Sequence, residues 1–334
     1  MPAKQFPTQL AHTLKTHHGP VNTVTFSSIT GSYVLTGSSD RTIHLSRAIP
    51  DNARGETVTT TPIQKYEAHG YSVLDVAVTA DNAQFASVGG DRQVFLWDVE
   101  QGATVRRWGG HAARVEAVQF AGEGDSVVVS GSADTTINLW DTRSNAHKPI
   151  QTLSDAGDTV SSLHTHMASY SIASGSYDGR ARIYDVRTGH ATVDVLGQPI
   201  TSVRCSADGN ALLVSTLDSR IRVLDRSDGK LLKAVGGKAG AAAKEEGGRE
   251  EPEYRNTEMR MRAVFAEGDA VVLSGSEGTA RQQAHVFAWD VVSGDVVACL
   301  PAGEGVRAVG CVAWNERGGC WAGGCSDGTV KVYR

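Results

Sequence analysis

The sequence predicts an all-β fold, a seven-bladed β-propeller in which a strand from the N-terminus completes the last blade. Two observations predict it: a unit that recurs about every 43 residues, and a final unit that stops after its third strand. Each unit alternates apolar and polar residues over short stretches between Gly, Asp and Ser turns, which is typical of strands. The stretch 239–246 is rich in helix formers, but no segment has a helical period over ten or more residues.

The recurring unit is clearest in its third copy. There Gly110-His111 is followed by an alternating segment, by Ser130-Gly-Ser-Ala-Asp134 and by a strand that ends at Trp140-Asp141. The spacings between the closing aspartates are 43, 44 and 40 residues, the period of a WD repeat, for Asp98, Asp141, Asp185 and Asp225. Three further units fit less closely and contain Thr36-Gly-Ser-Ser-Asp40, Ser274-Gly-Ser-Glu277 and Cys325-Ser-Asp327. The count is therefore seven.

The two ends of the chain are expected to meet. The chain stops at Arg334, which leaves the last blade with three strands and an open edge. Segment 10–15 precedes His17 as segment 63–66 precedes His69, so it has the register of an outer strand without a preceding blade. Pairing it with the last unit closes the ring. The predicted propeller spans residues 10–334 after an N-terminal tail, 1–9.

Two insertions interrupt the period. Asp225 and Asp290 are 65 residues apart, and the surplus lies mainly in a Gly-, Ala- and Glu-rich stretch, 236–251. Its composition predicts a flexible insertion between blades. A smaller insertion, 49–62, separates the first two blades.

Two blades carry a complete residue set for a buried hydrogen-bond network. The set has a His in the loop before the blade, a Ser or Thr on the second strand, an Asp in the next turn and a Trp on the third strand. The two sets are His69, Ser87, Asp91 and Trp97, and His111, Ser130, Asp134 and Trp140. A His between a hydroxyl and a carboxylate satisfies the buried charge and fixes the turn. Ser, His and Asp also form hydrolase triads, but recurrence in successive blades favours a structural role.

Other blades keep only part of the set. Ser174 and Asp178 lack a matching His, and Val214 occupies the Ser position before Asp218. We expect these blades to depend more on packing.

The sequence contains no recognisable catalytic or cofactor motif. A phosphate-binding loop of the Walker type and a His-Glu-x-x-His zinc motif are absent. His164 and His166 share a strand face, but no nearby Cys or carboxylate completes a metal set. We therefore expect a non-enzymatic protein with no cofactor and no metal.

Composition limits the partners. Lys and Arg total 32 against 37 Asp and Glu, and this net charge of −5 disfavours nucleic acid as the main partner. Direct RNA contact is not indicated. The five cysteines contain no Cys-x-x-Cys pair, and no signal peptide or membrane-spanning run is present. We expect an intracellular, soluble monomer that binds proteins.

A propeller presents its leading loops and its second turns on one face, and loops of this kind carry function. Arg and Tyr residues beside the network positions are candidates for partner binding, because these residue types are enriched at binding hot spots. They are also ordinary solvated side chains near turns, so both interpretations stay open. The candidates are Arg41, Tyr71, Arg92, Arg114, Tyr177, Arg180 and Arg307.

Several segments go beyond a generic WD repeat. They include Ala68-His-Gly-Tyr-Ser-Val-Leu-Asp75, Gly89-Gly-Asp-Arg-Gln-Val-Phe-Leu-Trp-Asp98, Gly175-Ser-Tyr-Asp-Gly-Arg-Ala-Arg-Ile-Tyr-Asp185 and Glu253-Tyr-Arg255. Together they resemble the mitogen-activated protein kinase organizer family of WD-repeat proteins, from about residue 12 to 333. Ser46-Arg47 departs from that pattern, which has a Trp-Asp pair there.

The resemblance implies binding roles in the cytoplasm and the nucleus. Members of that family are scaffolds for kinase-cascade components and associate with the catalytically active spliceosome. We expect pre-mRNA splicing ahead of kinase-cascade organisation, because splicing needs only stable docking. The alternative is a substrate receptor of a cullin-type ubiquitin ligase, since many propellers serve that role.

Overall fold

The computed structural model describes residues 6–28, 30–49, 57–237, 252–279 and 282–334. They form seven β-sheets, which confirms the predicted seven-bladed propeller. The helical structure in these ranges is one single-turn 3-10 helix, Glu123–Asp125. No helix of the described ranges has the length and apolarity needed to cross a membrane.

Four strands of each blade form an antiparallel sheet, and the first of the four lies innermost. The first blade contains β2 (Val21–Phe26), β3 (Tyr33–Ser38), β4 (Ile43–Arg47) and β6 (Gln64–Tyr66), and the second contains β7 (Val73–Val78), β8 (Gln84–Gly89), β9 (Gln93–Asp98) and β10 (Thr104–Gly109). The third contains β11 (Val115–Ala121), β12 (Val127–Ser132), β13 (Ile137–Asp141) and β14 (Gln151–Leu153), and the fourth contains β15 (Val160–His166), β16 (Ser171–Ser176), β17 (Arg180–Asp185) and β18 (Ala191–Val195).

The remaining blades follow the same plan. The fifth contains β19 (Ile200–Cys205), β20 (Ala211–Thr216), β21 (Arg220–Asp225) and β22 (Leu231–Gly236), and the sixth contains β23 (Ala263–Ala266), β24 (Val271–Gly275), β25 (His285–Asp290) and β26 (Val296–Pro301). The seventh contains β27 (Val309–Asn315), β28 (Cys320–Cys325), β29 (Thr329–Tyr333), β1 (Leu10–Lys15) and β5 (Thr57–Thr59).

The ring is closed. Every inner strand contacts the inner strand of the next blade, and β27 of the seventh blade contacts β2 of the first. In the seventh blade β1 runs antiparallel to β29, with Leu14 opposite Val330. The amide of Arg334 donates to the carbonyl of Gln9 at 3.0 Å. The N-terminal strand thus completes the last blade, as predicted.

The seventh blade has one strand more than predicted. Strand β5 pairs in parallel with the outer edge of β1, and Thr57 lies opposite His12. The hydroxyl of Thr59 and Nε2 of His12 are 3.0 Å apart. This strand comes from the first of the two insertions, 49–62, and nothing in the residues of that insertion indicated a place on another blade. It covers an edge that would otherwise expose unpaired backbone groups.

The described part of the predicted N-terminal tail, residues 6–9, is packed on the propeller. Phe6 is 4% exposed and stacks on Trp314. The indole N–H of Trp321 donates to the carbonyl of Pro7 at 2.9 Å. An aromatic ring and a buried indole donor both need partners, and these residues supply them to each other. Most of the predicted flexible insertion, 238–251, lies outside the described residues, as do residues 1–5.

The core lies between neighbouring sheets. Trp140 of the third blade packs with Trp108 and Val94 of the second, and all three are at most 1% exposed. Similar apolar clusters fill the other described contacts between blades. This packing fixes the face that carries the second-to-third-strand turns and the leading loops, which we call the turn face. The loops at the other ends of the strands form the opposite face.

Candidate functional site

The third blade contains the predicted network. Nε2 of His111 lies 2.8 Å from the hydroxyl of Ser130, and Nδ1 lies 3.0 Å from a carboxylate oxygen of Asp134. The indole N–H of Trp140 donates to the same hydroxyl at 2.8 Å. The turn after β12 and the loop before β11 are therefore tied to the buried third strand.

The second blade repeats this geometry. Nε2 of His69 lies 2.7 Å from the hydroxyl of Ser87, and Nδ1 lies 2.7 Å from Asp91. Trp97 donates to Ser87 at 2.8 Å. Ser87 and Ser130 are both 0% exposed, so no substrate reaches either hydroxyl. The arrangement holds turns in place and cannot act as a hydrolytic triad.

The first blade carries a third network, which sequence reasoning missed. Nδ1 of His17 lies 2.9 Å from Asp40, and Nε2 lies 2.8 Å from the hydroxyl of Thr36. His44 stacks on His17 with ring centroids 4.0 Å apart. The signal was available, because His17 precedes Asp40 by the same 23 residues that separate His111 from Asp134. Ser46 in place of Trp concealed it.

Burial and hydrogen bonding set the charges in these networks. Burial acts to raise the pKa of Asp134, but hydrogen bonds from the Thr136 hydroxyl and from the amides of Ala112 and Thr136 outweigh it, so the pKa lies below its usual value. Burial lowers the pKa of His111 despite the opposing charge of Asp134. Burial, with the His17 ring beside it, lowers the pKa of His44 to about 4. At neutral pH the turn of the third blade therefore combines a carboxylate with a neutral His111 ring, and His44 of the first blade is neutral as well.

Two blades without a leading His satisfy their turn carboxylates in another way, which corrects the expectation that they depend on packing. Arg182 on β17 donates from Nη2 to Asp178 at 2.7 Å, and its side chain is 3% exposed. Arg222 on β21 contacts Asp218 in the same manner. An arginine four residues after the aspartate thus takes the place of the histidine. This spacing is visible in the sequences of both blades.

The sixth blade uses a glutamate at the turn position. One oxygen of Glu277 accepts hydrogen bonds from the amides of Thr257, Glu258 and Met259 at 3.0, 2.9 and 2.6 Å. The other accepts the Thr257 hydroxyl at 2.8 Å. The segment before β23 is therefore held across the turn face.

That segment closes the central channel on the turn-face side. Arg262 donates to a carboxylate oxygen of Asp75 on the second blade, and also to the Leu74 carbonyl at 2.9 Å. Arg260 donates to the carbonyl of Glu116 on the third blade at 2.8 Å. The second and third blades lie across the ring from the sixth. Two arginines thus bridge the channel.

The seven candidate partner-binding residues lie on or beside the turn face, distributed around it. Arg41 and Arg92 are exposed and adopt positive φ angles of 73° and 62°. Tyr71 is 65% exposed. Arg180 and Arg307 are exposed, and Arg307 lines a cavity of about 840 Å³ between the sixth and seventh blades.

Two of the seven differ from this pattern and lie at the channel mouth. Arg114 pairs with Glu116 at 2.6 Å, although its side chain is 60% exposed. Tyr177 is half-buried, and burial raises the pKa of its hydroxyl. These two residues therefore belong to the charged cluster around Arg260.

Metal binding has no support in the described ranges, where no three His, Cys, Asp or Glu side chains are grouped for a metal ion. Nε2 of His166 contacts the Ala207 carbonyl at 3.2 Å, and Nδ1 of His164 accepts the Cys205 amide at 3.1 Å. The two histidines thus have separate backbone partners.

Comparison with known proteins gives the family. The family described as WD domain, G-beta repeat, matches residues 8–45 and 296–334, and the nucleolar protein 10-like N-terminal domain matches residues 71–244. WD repeat domain-containing protein 83 of Rattus norvegicus is 38% identical over 304 residues, which cover 91% of this chain and 86% of the rat protein. This chain belongs to the WD repeat domain-containing protein 83 family.

Further members of the WD repeat domain-containing protein 83 family agree with this. The human protein is 39% identical over 302 residues, which cover 90% of this chain and 85% of the human protein. A homolog from Dictyostelium discoideum is 27% identical over 314 residues, which cover 86% of each chain. A shared WD-repeat propeller accounts for similarity over nearly the whole length.

The assignment to the mitogen-activated protein kinase organizer family was wrong. The matched proteins are named WD repeat domain-containing protein 83, and these names mention no kinase. The segments that suggested the assignment consist of residues that stabilise the blades. They contain the His69 network, the Asp178–Arg182 pair and the buried Tyr254. Residues of this kind specify how blades are held together, and they carry no information about the partner.

Proposed function

We propose that this chain is a non-enzymatic platform that assembles other proteins on its turn face. The observation that carries the proposal is the placement of arginines beside turn carboxylates whose charges are already satisfied. Asp40, Asp91 and Asp134 are paired with histidines, and Asp178 and Asp218 are paired with arginines of their own blades. Apart from Arg114, which pairs with Glu116, the candidate arginines therefore face solvent without an ion pair in the described ranges.

Backbone conformation supports a role for two of these arginines. The residue after the turn acid has a positive φ in six blades, namely Arg41, Arg92, Thr135, Gly179, Ser219 and Gly328. Glycine adopts this conformation without strain, whereas another residue costs about 1 kcal/mol or more. An arginine at such a position is poorly suited to the turn itself. We infer that Arg41 and Arg92 are retained for what their side chains bind.

An exposed aromatic residue lies close to Arg92. A Cβ at Gly90 would come within 2.9 Å of the Cβ of Tyr71, so the glycine leaves room for the tyrosine. Arg92 reaches the Ala112 carbonyl of the next leading loop at 3.4 Å. Arginine and tyrosine side chains are enriched among residues that dominate binding energy. An acidic protein segment with an apolar residue fits this combination.

Among assembly processes we propose pre-mRNA splicing first and organisation of a kinase cascade second. Both require stable docking of several proteins, which a rigid ring with loops from seven blades supports. Such a role implies a monomeric protein present in cytoplasm and nucleus. A substrate receptor of a cullin-type ubiquitin ligase is the alternative, and it would use the same face.

Affinity purification with quantitative mass spectrometry tests this proposal. The wild type is compared with the double variant Arg41→Glu, Arg92→Glu and with Arg143→Glu, which reverses a charge on the opposite face at a side chain 76% exposed. We expect spliceosomal proteins with the wild type and the control, and about a thirtyfold loss with the double variant. Circular dichroism should show that all three chains fold.

The alternatives give different results. Identical partner sets for all three chains would show that the turn face is not used. Kinases without spliceosomal proteins would reverse the order of the two processes. Recovery of cullin-complex subunits would favour the ligase receptor.

A further inference from the structure

The half of the central channel that opens on the opposite face contains an arginine that has no carboxylate partner among the described residues. Arg204 on β19 lines a cavity of about 250 Å³ together with Thr25, Gln119 and Arg262. It also lines a wider cavity of about 730 Å³ at the channel mouth, where His164 and Cys205 contribute. The side chain is thus enclosed by the ring and lies next to open space on two sides.

The other channel charges are already paired. Arg262 binds Asp75, and both Arg260 and Arg114 bind Glu116. Asp75 also accepts hydrogen bonds from the amides of Val76 and Val118 at 3.0 and 3.1 Å and from the Thr23 hydroxyl at 3.0 Å, so most of its acceptor capacity is used.

Arg204 makes no hydrogen bond or ion pair with any residue in the described ranges. Burial lowers the pKa of its guanidinium group, and the positive charge of Arg262 adds to this. An enclosed arginine remains charged, so it requires a compensating negative charge or water.

His164 supplies a second donor. Its Nδ1 accepts the amide hydrogen of Cys205 at 3.1 Å. Burial, followed by the charges of Arg204 and His166, holds the pKa of His164 well below its usual value, so the ring is neutral. A neutral ring that accepts at Nδ1 carries its proton on Nε2. Nε2 has no partner among the described residues and is available as a donor in the wider cavity.

Besides Asp75, three acidic residues line the cavities near the opposite face, and each accepts a hydrogen bond from another group. Asp125 accepts the Ala80 amide at 2.6 Å, and Asp269 accepts the Ala207 amide at 2.6 Å. Glu316 accepts the indole N–H of Trp314. None of them forms an ion pair with Arg204 in the described ranges, and the nearby negative charge of Asp75 is shared with Arg262.

We propose that the channel binds a phosphate-type oxyanion against Arg204, with His164 as a second donor. The planar guanidinium group offers two parallel N–H donors that match an oxyanion, and a neutral imidazole N–H adds a donor without another charge. Thr25 lines both cavities beside Arg204, Gln119 lines the smaller one, and both provide further polar groups. The site is separate from the turn face and does not depend on the proposed platform function.

Calorimetric titration of the full chain tests this site. Inorganic phosphate and pyrophosphate are titrated separately at constant ionic strength in a chloride buffer, which distinguishes a free ion from the phosphate group of a larger molecule. The variants are Arg204→Gln and, as a control, Arg143→Gln on the exposed surface. We expect saturable binding to the wild type and the control, and binding weaker by about ten- to a hundredfold for Arg204→Gln.

A second measurement uses folding. Phosphate at low millimolar concentration should raise the thermal midpoint of the wild type and leave that of Arg204→Gln unchanged. Arg204→Lys, which keeps the charge but loses the paired donors, should bind with intermediate strength and serves if Arg204→Gln does not fold. No saturable heat with either anion, or equal affinity of wild type and Arg204→Gln, would overturn the proposal.

Discussion

At the scale of the residue, single carboxylates hold the turns. Asp134 accepts hydrogen bonds from His111, from the Ala112 amide at 2.7 Å, and from the Thr136 amide and hydroxyl at 2.9 and 2.6 Å. One side chain thereby joins the leading loop to the turn of its blade. Removing it leaves several donors without a partner.

Asp134→Ala should therefore lower the free energy of unfolding by about 1–3 kcal/mol. Chemical denaturation of the variant and the wild type measures this difference. Asp228→Ala, which removes a carboxylate from an exposed loop, is the control and should change stability by less than about 0.5 kcal/mol. Equal stability of Asp134→Ala and wild type would show that the network contributes nothing.

His44 makes the stability of the first blade depend on pH. Its pKa is about 4 in the folded protein, against an ordinary value of 6.5. The unfolded chain therefore gains a proton first as pH falls, and stability should decrease from about pH 6.5 down to about pH 4. Nδ1 of His44 is also buried without a hydrogen-bond partner among the described residues.

His44→Phe should raise stability and reduce this pH dependence. Phenylalanine occupies the matching position in the second blade, where Phe95 lies 4.4 Å from the His69 ring. Denaturation of wild type and variant at pH 7 and pH 4.5 measures both effects. An unchanged pH dependence in the variant would show that His44 does not titrate between these values.

The sequence predicted the residue-scale networks where all four residue types were present. The sets of His69 and His111 were identified from spacing alone, because each type has one role in a repeat. The set of His17 was missed because Ser46 stands where the pattern requires tryptophan. A pattern that requires every residue cannot recognise a network that works with a substitute.

At the scale of the element, blades can satisfy the same turn by different routes. Arg182 stands on the third strand of the fourth blade, opposite Ser174, and its charge meets Asp178 within one blade. From the sequence we could see only that the fourth blade lacks the leading histidine, and not that Arg182 pairs with Asp178. An arginine on a strand is normally interpreted as solvent-facing, so its burial depended on the packing of the neighbouring blade.

Arg182→Met should lower stability by about 2–4 kcal/mol, because it leaves the Asp178 carboxylate unpaired. This loss of unfolding free energy is smaller than for a fully buried ion pair, because the Asp178 side chain is still 14% exposed. Adding Asp178→Asn should restore part of the loss by removing the orphaned charge. Urea denaturation of the four chains of this cycle gives the coupling energy, and purely additive effects would exclude the pair as a stabilising element.

The fifth strand of the last blade also lies at this scale. Strand β5 belongs by sequence to the connection between β4 and β6, yet it pairs with β1. Three residues carry too little alternation to predict a strand, and no local pattern gives the identity of its neighbour. Only the folded ring brings that edge close.

At the scale of the whole molecule, contacts across the channel and the joined chain ends make one body of seven blades. Arg262 of the sixth blade binds Asp75 of the second, and these side chains are 12% and 4% exposed. Arg262→Met should lower stability by about 3–5 kcal/mol, because Asp75 would be buried without its partner. Scanning calorimetry measures the loss, and an unchanged transition would show that the bridge carries no stability.

The number of blades and their closure were predictable from the sequence because the repeat imposes them. The bridge across the channel was not, since Arg260 and Arg262 are 144 and 187 residues from their partners, Glu116 and Asp75. No periodic pattern connects residues at such distances. The family could not be predicted from the sequence motifs either, because residues that hold the blades together do not distinguish one family of WD-repeat proteins from another.

Closure by the N-terminal strand is the central claim, because a rigid platform requires it. Hydrogen exchange followed by mass spectrometry measures it directly on peptides that cover Leu10–Lys15 and Thr329–Tyr333. Paired strands should be protected together, and to the same extent as the other paired strands of the blades. Rapid exchange of Leu10–Lys15 while Thr329–Tyr333 remains protected would show that the ring does not close as described.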